Sequence, residues 1–220
     1  MSELTPFVER VVPARQPAAT PPLLVLLHGI GADEHDLLPL ADTVDPRFVV
    51  ASLRAPHPYF GGYAWFPIDV RPGGRVVPDL GSARTALAGL IQWLTAAPAR
   101  LATDPAQTFL LGFSQGAMMS LAALHRVPER LAGVVALSGR VPEPLIENGS
   151  PPGAIAQVPV FVGHGTLDNV VPISSGRRAR DLLHPLVRDF TYQEFDVGHG
   201  IGHGELATVT AWLTTRLASR

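Results

Sequence analysis

The sequence predicts an α/β protein with a mainly parallel central sheet and helices on both faces. Short apolar runs, each closed by glycine, proline or a polar residue, alternate along the chain with longer stretches that carry apolar residues at helical spacing. No internal repeat, low-complexity tract or linker interrupts this alternation. Because two strands separated by a helix are joined by a crossover connection, the alternation favours parallel pairing and a sheet covered on both sides.

Six apolar runs have the length of buried strands and are too short for helices with their own caps. They cover residues 23–27, 48–51, 108–111, 131–137, 158–162 and 190–195. In open parallel sheets, ligand sites gather at the carboxyl ends of the strands. We therefore expect the polar residues that follow these runs to share one edge of the sheet. They are His28, Ser114, Ser138, Asp168 and His199.

The stretches between the runs carry apolar stripes that predict helices. In residues 83–94 the apolar positions recur every three or four residues, as one face of a helix requires. The stretches 115–125 and 206–217 show the same period, and 173–187 shows it more weakly. The proline-rich segment 141–159 is expected to be a surface connection, and it is too short to hold a helical lid domain.

Length and composition indicate an ordinary globular protein. The chain has 220 residues, enough for one well-packed domain and short for two, so we expect a single domain over residues 1–220. Hydrophobic residues make up 46% and charged residues 16%, which is a globular rather than a disordered composition. The net charge of -2 gives no electrostatic reason to expect a nucleic acid as partner.

Cysteine is absent, which excludes a disulfide framework, a thiolate nucleophile and a cysteine-ligated metal. The first 15 residues include acidic residues and prolines and no apolar stretch of signal-peptide length, and no window is apolar enough for a membrane span. We therefore expect a cytoplasmic protein without stable membrane insertion. No sequence pattern reports the oligomeric state, and a homodimer stays open.

The most informative segment is Gly112-x-Ser114-x-Gly116, where the apolar run 108–111 ends. A strand that breaks into a sharp turn and then a helix exposes a serine hydroxyl, and glycines on either side let strand and helix approach closely. The motif alone also occurs by chance in ordinary loops. Its place between a predicted strand and a predicted helix favours Ser114 as a nucleophile.

A serine nucleophile needs a base, and the base needs a carboxylate that fixes its tautomer. In this architecture the order along the chain is serine, acid, histidine. Asp168 follows the run 158–162, and we predict that it is the acid, although an aspartate after a strand also commonly caps a turn. The later aspartates, Asp181, Asp189 and Asp196, lie in or near predicted elements and are less well placed.

Two histidines compete for the role of base. His199 directly follows the last predicted strand, and His203 comes four residues later, close to the last helix. Two histidines four residues apart can bind a metal together when they lie on one face of a helix. The four glycines around this pair oppose a helix, because each glycine costs about 1 kcal/mol of helix stability relative to alanine. We predict His199 as the base, because it emerges at the strand end, and we predict no metal site.

The oxyanion that forms when a serine attacks a carbonyl needs two donors. One is the backbone N–H of the residue after the nucleophile, and the other comes from the loop after an earlier strand. The first is Gln115, at the start of a predicted helix. The second lies in the glycine-rich strand exit 28–31, and we predict the backbone N–H of Ile30. His28 itself is expected to be structural.

Five motifs together resemble the phospholipase/carboxylesterase family of the α/β-hydrolase superfamily, over nearly the whole chain. They are the oxyanion loop at 27–34, a Trp-Phe segment at 61–66, the elbow at 112–117, the acid loop at 164–172 and the histidine loop at 198–206. This resemblance implies an α/β-hydrolase fold without a large lid domain, and an esterase or thioesterase that uses no cofactor. One departure is local. Residues 200–204 are richer in glycine than the family pattern, so a shift of the base to His203 stays open.

The resemblance also implies where a substrate binds. Trp65, Phe66 and Tyr59, together with Ile30 and Met118, would form an apolar acyl pocket, although aromatic residues of this kind also fill cores. We predict a serine hydrolase that acts on small or accessible carboxylic esters through an acyl-enzyme. Two alternatives stay open. An acyl-protein thioesterase or lysophospholipase would use the same triad, and a catalytically silent binding module would keep the fold alone.

Overall fold

A seven-stranded sheet forms the centre of the molecule, and its five inner strands are buried along almost their whole length. The structure, a computed structural model, describes residues 7–16, 18–73, 75–147 and 149–218. The strands are β1 (Glu9–Val12), β2 (Leu23–Leu27), β3 (Val49–Leu53), β4 (His57–Tyr59), β5 (Gly62–Ala64), β6 (Ile68–Arg71), β7 (Arg75–Pro78), β8 (Thr108–Phe113), β9 (Gly133–Leu137), β10 (Val160–Gly165) and β11 (Phe190–Phe195). The helices are α1 (Leu80–Leu101), α2 (Gln115–Arg126), α3 (Glu143–Ile146), α4 (Pro152–Ile155), α5 (Ile173–Leu183) and α6 (His203–Ala218).

The order of strands in the central sheet is β1-β3-β2-β8-β9-β10-β11. Every neighbouring pair is parallel except β1 with β3, which is antiparallel and lies at the edge. The four short strands β4 to β7 form two separate hairpins. The prediction of a mainly parallel sheet is therefore confirmed.

Helices cover both faces of this sheet. Alternate residues along the strands point to opposite faces, so that Leu23 and Val25 pack with α1, α2 and α5, whereas Leu24 and Leu26 pack with α6. We name the first side the α2 face and the second side the α6 face. The inner strands need apolar residues at every position because both faces are buried, which explains their continuous apolar runs.

The predicted strands and helices all form, with different ends. The strand expected over 158–162 begins at Val160 and continues to Gly165. The helix expected over 83–94 extends from Leu80 to Leu101. The helix expected over 173–187 ends earlier, at Leu183. Pro185 explains this difference, because a proline has no N–H to donate to the carbonyl oxygen four residues before it.

Among the residues that the structure describes, no large lid domain covers the carboxyl ends of the strands. In the described part of the connection between β9 and β10, the helices α3 and α4 have four residues each. None of the helices within the described ranges combines the length and the apolar character that are needed to cross a bilayer.

Candidate active site

Ser114 occupies a sharp turn between β8 and α2, with φ 54° and ψ -112°. A positive φ is strained for a residue that has a side chain. The flanking glycines make this turn sterically possible. A Cβ on Gly112 would collide with the backbone of Gly116, and a Cβ on Gly116 would collide with the carbonyl oxygens of Leu27 and His28. The turn therefore packs its strand and helix too closely for any other residue at these two positions.

Ser114, His199 and Asp168 form one hydrogen-bonded chain. The Ser114 hydroxyl oxygen lies 3.0 Å from Nε2 of His199, and Nδ1 of His199 lies 2.7 Å from Oδ2 of Asp168. When Nδ1 carries its proton toward the carboxylate, Nε2 is free to accept the serine proton. The fold thus brings together three side chains that the sequence placed after three different strands, β8, β10 and β11.

The carboxylate of Asp168 is held in its ionised form. Burial on its own would raise the pKa of Asp168, but hydrogen bonds from His199 and from the backbone of Val171 and Val170 outweigh it, so that the pKa lies below its ordinary value. Oδ1 accepts both backbone bonds, at 2.9 Å from Val170 and 2.8 Å from Val171. The charge is therefore available to orient an imidazole and to stabilise its protonated form.

His164 supports this loop from below and is a residue to which the sequence assigned no role. It is fully buried, and its Nε2 lies 2.8 Å from the carbonyl oxygen of Val171 and 3.5 Å from Oδ2 of Asp168. Since Val171 also donates to Asp168, His164 fixes the turn that presents the carboxylate. Its position four residues before Asp168, at a strand end, was the available signal.

The two predicted oxyanion donors lie on either side of the elbow. A Cβ on Gly29 would be 3.4 Å from Cβ of Ser114, so the strand exit that carries Ile30 passes directly beside the serine. Among the described residues, the backbone N–H groups of Ile30 and Gln115 donate to no protein acceptor. Gln115 is also the first residue of α2, where the helix dipole favours negative charge. Both groups are thus free to bind an oxyanion.

The loop that carries Ile30 is fixed by buried hydrogen bonds. Nε2 of His28 accepts from the backbone N–H of Ala55 at 3.0 Å, and Nδ1 donates to the carbonyl oxygen of Gly29 at 2.7 Å. Burial lowers the pKa of His28, which keeps this ring neutral and able to accept. His28 therefore has the structural setting that the sequence led us to expect.

The side chain of Gln115 contributes a second support. Its Oε1 accepts from the backbone N–H of Trp65 and its Nε2 donates to the carbonyl oxygen of Phe66, both at 2.7 Å. The indole Nε1 of Trp65 donates to the carbonyl oxygen of His28 at 2.9 Å. The elbow, the Trp-Phe segment and the oxyanion loop are thereby joined into one network. Sequence alone could not show this, because the partners lie 37 to 50 residues apart.

The predicted substrate-binding residues have different positions. The side chain of Trp65 is completely buried in the core, where it supports the oxyanion loop; its contact with substrate stays a prediction. The indole ring fills space in the core, and its N–H donates a hydrogen bond to a backbone carbonyl oxygen. Phe66 is almost as buried, at 2% exposed, but it lines, together with Met118, a cavity of about 320 Å³ on the α2 face.

His203, the alternative base, is not part of the hydrogen-bonded chain. It is the exposed first residue of α6, and the imidazole that reaches Ser114 belongs to His199. The ring of His199 lies against Phe113, with ring centroids 4.9 Å apart. The glycine-rich turn after His199 ends where the helix begins, which places the two histidines on different elements.

One group of residues has the ligand atoms of a metal site. Within the described part of the chain, ligand atoms of Asp33, Glu34 and His35 lie within 4.8 Å of one another. Both oxygens of the buried Glu34 already accept from Arg54 at 2.6 Å, and this hydrogen bonding lowers the pKa of Glu34 to about 2. Since Arg54 also bonds the hydroxyl of Tyr63, the ion pair ties the oxyanion loop to β5. The position of Glu34 in this group is explained by its ion pair with Arg54.

A buried carboxyl group, Glu205, lies beneath the histidine loop. It is 1% exposed, and neither of its side-chain oxygens has a well-formed hydrogen bond within the described ranges. Burial raises the pKa of Glu205 to about 7, with a partial offset from the backbone N–H of Gly202. A Cβ added to Gly163 of β10 would approach Oε1 within 2.6 Å, so the group packs against the sheet.

Glu205→Gln is expected to make the free energy of unfolding less sensitive to pH between about 5 and 8. The folded state holds the Glu205 proton up to a pKa of about 7, whereas the unfolded state loses it near its model value of 4.5. Raising the pH through this window therefore destabilises the wild type by on the order of 2–3 kcal/mol through this group.

Urea unfolding of wild type and variant at pH 5 and pH 8 measures this effect. Glu129→Gln, at an exposed position, is the matched control and should retain the pH dependence of the wild type. The same loss of stability at pH 8 in Glu205→Gln as in the wild type would rule out Glu205 as its source.

The parallel sheet and the serine elbow at its carboxyl edge define a protein of the α/β-hydrolase class. A family model described as phospholipase/carboxylesterase matches residues 8–217. The chain therefore belongs to the phospholipase/carboxylesterase family, as the five sequence motifs led us to expect.

Individual relatives agree with this family. Acyl-protein thioesterase 1 of Saccharomyces cerevisiae is 35% identical over 119 residues, which are 52% of each chain. The thioesterase of the same name from Debaryomyces hansenii is 29% identical over 94% of this chain and 95% of that protein. The crystal structure of esterase PE8 is 33% identical, with a TM-score of 0.81 over 96% of this chain and 99% of that chain. This chain thus spans about half the length of the Saccharomyces protein and most of the length of the other two.

Proposed function

We propose that the protein is a serine hydrolase of carboxylic esters in which Ser114 is the nucleophile, His199 the base and Asp168 the acid. The observation that carries this proposal is the continuous hydrogen-bonded chain from the Ser114 hydroxyl through His199 to Asp168. A nucleophile bonded to a base, with the base oriented by a carboxylate, is the arrangement that activates serine for acyl transfer.

In the first half of the reaction, Oγ of Ser114 attacks the ester carbonyl carbon while Nε2 of His199 takes the hydroxyl proton. The negative charge that develops on the carbonyl oxygen is stabilised by the free N–H groups of Ile30 and Gln115. The ester C–O bond then breaks, and the imidazolium gives its proton to the departing alcohol. The product of this half is an acyl-enzyme on Ser114.

In the second half, water replaces the alcohol. His199 removes a proton from the water, the resulting hydroxide attacks the acyl carbon, and the bond to Oγ of Ser114 breaks as the serine regains its proton. The negative charge of Asp168 stabilises the imidazolium in both halves. The reaction consumes one water per ester and needs no cofactor.

Accessible acyl esters are the substrates that the open site suits, because the described connection after β9 carries only short helices. A thioester of an acylated protein is the second candidate. It is favoured by the relatives, of which the Saccharomyces and Debaryomyces proteins are named acyl-protein thioesterases. The same attack on a carbonyl carbon serves both substrates, so the site geometry alone does not separate them.

A panel of p-nitrophenyl esters with acyl chains of two to twelve carbons tests the proposal, with Ser114→Ala as the matched blank. We expect hydrolysis by the wild type, none above background by the variant, and labelling of the wild type alone by a fluorophosphonate probe. Oxoesters and thioesters of equal chain length then separate the two candidates. An intact protein that neither hydrolyses any ester nor takes up the probe would instead be a binding module.

A further inference from the structure

The cavity lined by Phe66 and Met118 is connected to the elbow through these two residues, whereas Ser114 and Gln115 do not line it themselves. The backbone N–H of Met118 donates to the carbonyl oxygen of Ser114 at 3.3 Å, and the carbonyl oxygen of Phe66 accepts from the side chain of Gln115 at 2.7 Å. Two residues that line the cavity are therefore hydrogen-bonded to the elbow, Met118 to Ser114 and Phe66 to Gln115. Its volume of about 320 Å³ is near the lower end of the range for small-molecule sites.

The position of this cavity identifies the part of an ester that it would hold. Phe66, Met118 and the cavity residue Leu145 belong to the core of the α2 face. The base lies toward the other face, because the ring of His199 packs on Phe113, which contacts the core of the α6 face. The departing alcohol must take its proton from His199 and so lies on that side. The cavity on the α2 face is then left for the acyl chain.

The charges at this cavity are not balanced. Three charged residues line it, Arg140, Glu143 and Arg178. Arg178 donates to Glu143 at 2.8 and 2.6 Å. Arg140 is exposed, and within the described residues it has neither a hydrogen bond nor an ion pair. One guanidinium group at the wall of a mainly apolar cavity therefore has no anionic partner among the residues that the structure describes.

Arg140 emerges close to the nucleophile. It follows Gly139, where an added Cβ would lie 3.2 Å from the carbonyl oxygen of Ser114. Arg140 is thus one residue away from backbone that contacts the elbow, and it lines the same cavity as Phe66 and Met118. A guanidinium group binds a carboxylate through two parallel hydrogen bonds, and such charge-assisted bonds are stronger than neutral ones.

We propose that the cavity is an acyl subsite in which Arg140 binds a carboxylate at the far end of a short acyl chain. The preferred substrates are then half-esters of dicarboxylic acids with four to six carbons. This inference rests on the proposed ester hydrolysis. Attack by Ser114 releases the alcohol and leaves the acid chain on the serine, and one water then frees the dicarboxylate.

The test compares esters that differ only in this terminal charge. Monoethyl succinate, glutarate and adipate are each paired with the ethyl monoester of equal acyl length, ethyl butanoate, pentanoate and hexanoate, and ethanol release is measured. We expect the ratio of kcat/KM, half-ester over neutral ester, to fall by about 10- to 100-fold in Arg140→Gln, mainly through KM. Arg140→Lys should keep part of the preference, and added salt should reduce the preference of the wild type.

Arg84→Gln is the matched control, because Arg84 is also an exposed arginine but lies on α1 and lines a different groove. It should leave the ratio unchanged. A ratio that is the same in Arg140→Gln and wild type, or a wild type that prefers the neutral esters, would overturn the acyl-subsite assignment while ester hydrolysis stands. Absence of hydrolysis across both this series and the p-nitrophenyl panel would instead remove the proposed function on which the assignment rests.

Discussion

His199→Ala is expected to lower kcat for ester hydrolysis by about 10⁴-fold or more, because it removes the only imidazole bonded to Ser114 in the described structure. Without it, the serine hydroxyl has no acceptor for its proton and the leaving alcohol has no donor. KM should change much less, since the side chain acts on the reacting atoms rather than on substrate binding. Steady-state kinetics on a p-nitrophenyl ester measure both constants.

His203→Ala is the matched control, because it removes a histidine only four residues away that is exposed at the start of α6. Its kcat should stay within a few-fold of the wild type, given that surface substitutions away from special features usually have small effects. Equal losses in the two variants would leave no basis for choosing His199. A larger loss in His203→Ala would transfer the role of base to that residue.

Gly116→Ala is expected to destabilise the protein by on the order of 3 kcal/mol or more and to remove most activity. The added methyl group would collide with the carbonyl oxygens of Leu27 and His28, which are backbone atoms and cannot rotate away. Relief requires α2 to move away from β2. This movement would displace the N–H of Gln115 and the hydroxyl of Ser114 together. Urea unfolding midpoints and kcat/KM report the two losses.

Gly204→Ala provides the comparison for this substitution. Gly204 lies in the first turn of α6, and a Cβ there would meet no described atom within 4 Å outside its chain neighbours and its own helix backbone. Alanine should be neutral or slightly stabilising at that position, since glycine is a poor helix former. A Gly116→Ala protein with the midpoint of the wild type would show that the elbow is looser than the structure indicates.

The inner sheet could be predicted because its physical cause is visible in the sequence. Strands buried on both faces need unbroken apolar runs, and 23–27 and 131–137 have them. The edge strand β1 was not predicted, since Glu9–Val12 is half polar and largely exposed. It is held by partners far along the chain. Glu9 accepts hydrogen bonds from Trp93 and Arg100, 84 and 91 residues away, and no local pattern reports such contacts.

The hairpins β4–β5 and β6–β7 were not predicted for a related reason. Their strands have only three or four residues, too few to establish a period of two. The hairpin formed by β4 and β5 depends on the oxyanion loop, because the backbone N–H of Gly31 donates to Tyr63 and the N–H of Tyr63 donates to Ala32. Such elements form from tertiary contacts rather than from their own sequence.

The hydrogen-bonded side chains of the candidate site were predictable from chain order, because strand ends in a parallel sheet converge on one edge. The supporting contacts were not. Trp65 looked like a substrate contact because an aromatic residue in a motif suits both a pocket and a core. Its burial and its bond to His28 arise from the folded structure and leave no local sequence signal. The same holds for His164 beneath the acid loop.

Within the described residues, β11 pairs with β10 alone. This ladder, with the bonds from the N–H groups of Thr166 and Leu167 to the carbonyl oxygens of Phe195 and Val197, fixes where His199 lies relative to Asp168. A slip of that ladder by one residue would shift the imidazole by about 3.3 Å, more than the margin of a hydrogen bond, while the elbow on β8 stayed intact. The rate of ester hydrolysis is therefore sensitive to the register between β10 and β11 at the edge of the sheet. If a variant loses ester hydrolysis while its circular dichroism spectrum is unchanged, the pairing of β10 with β11 is the first place to look for the cause.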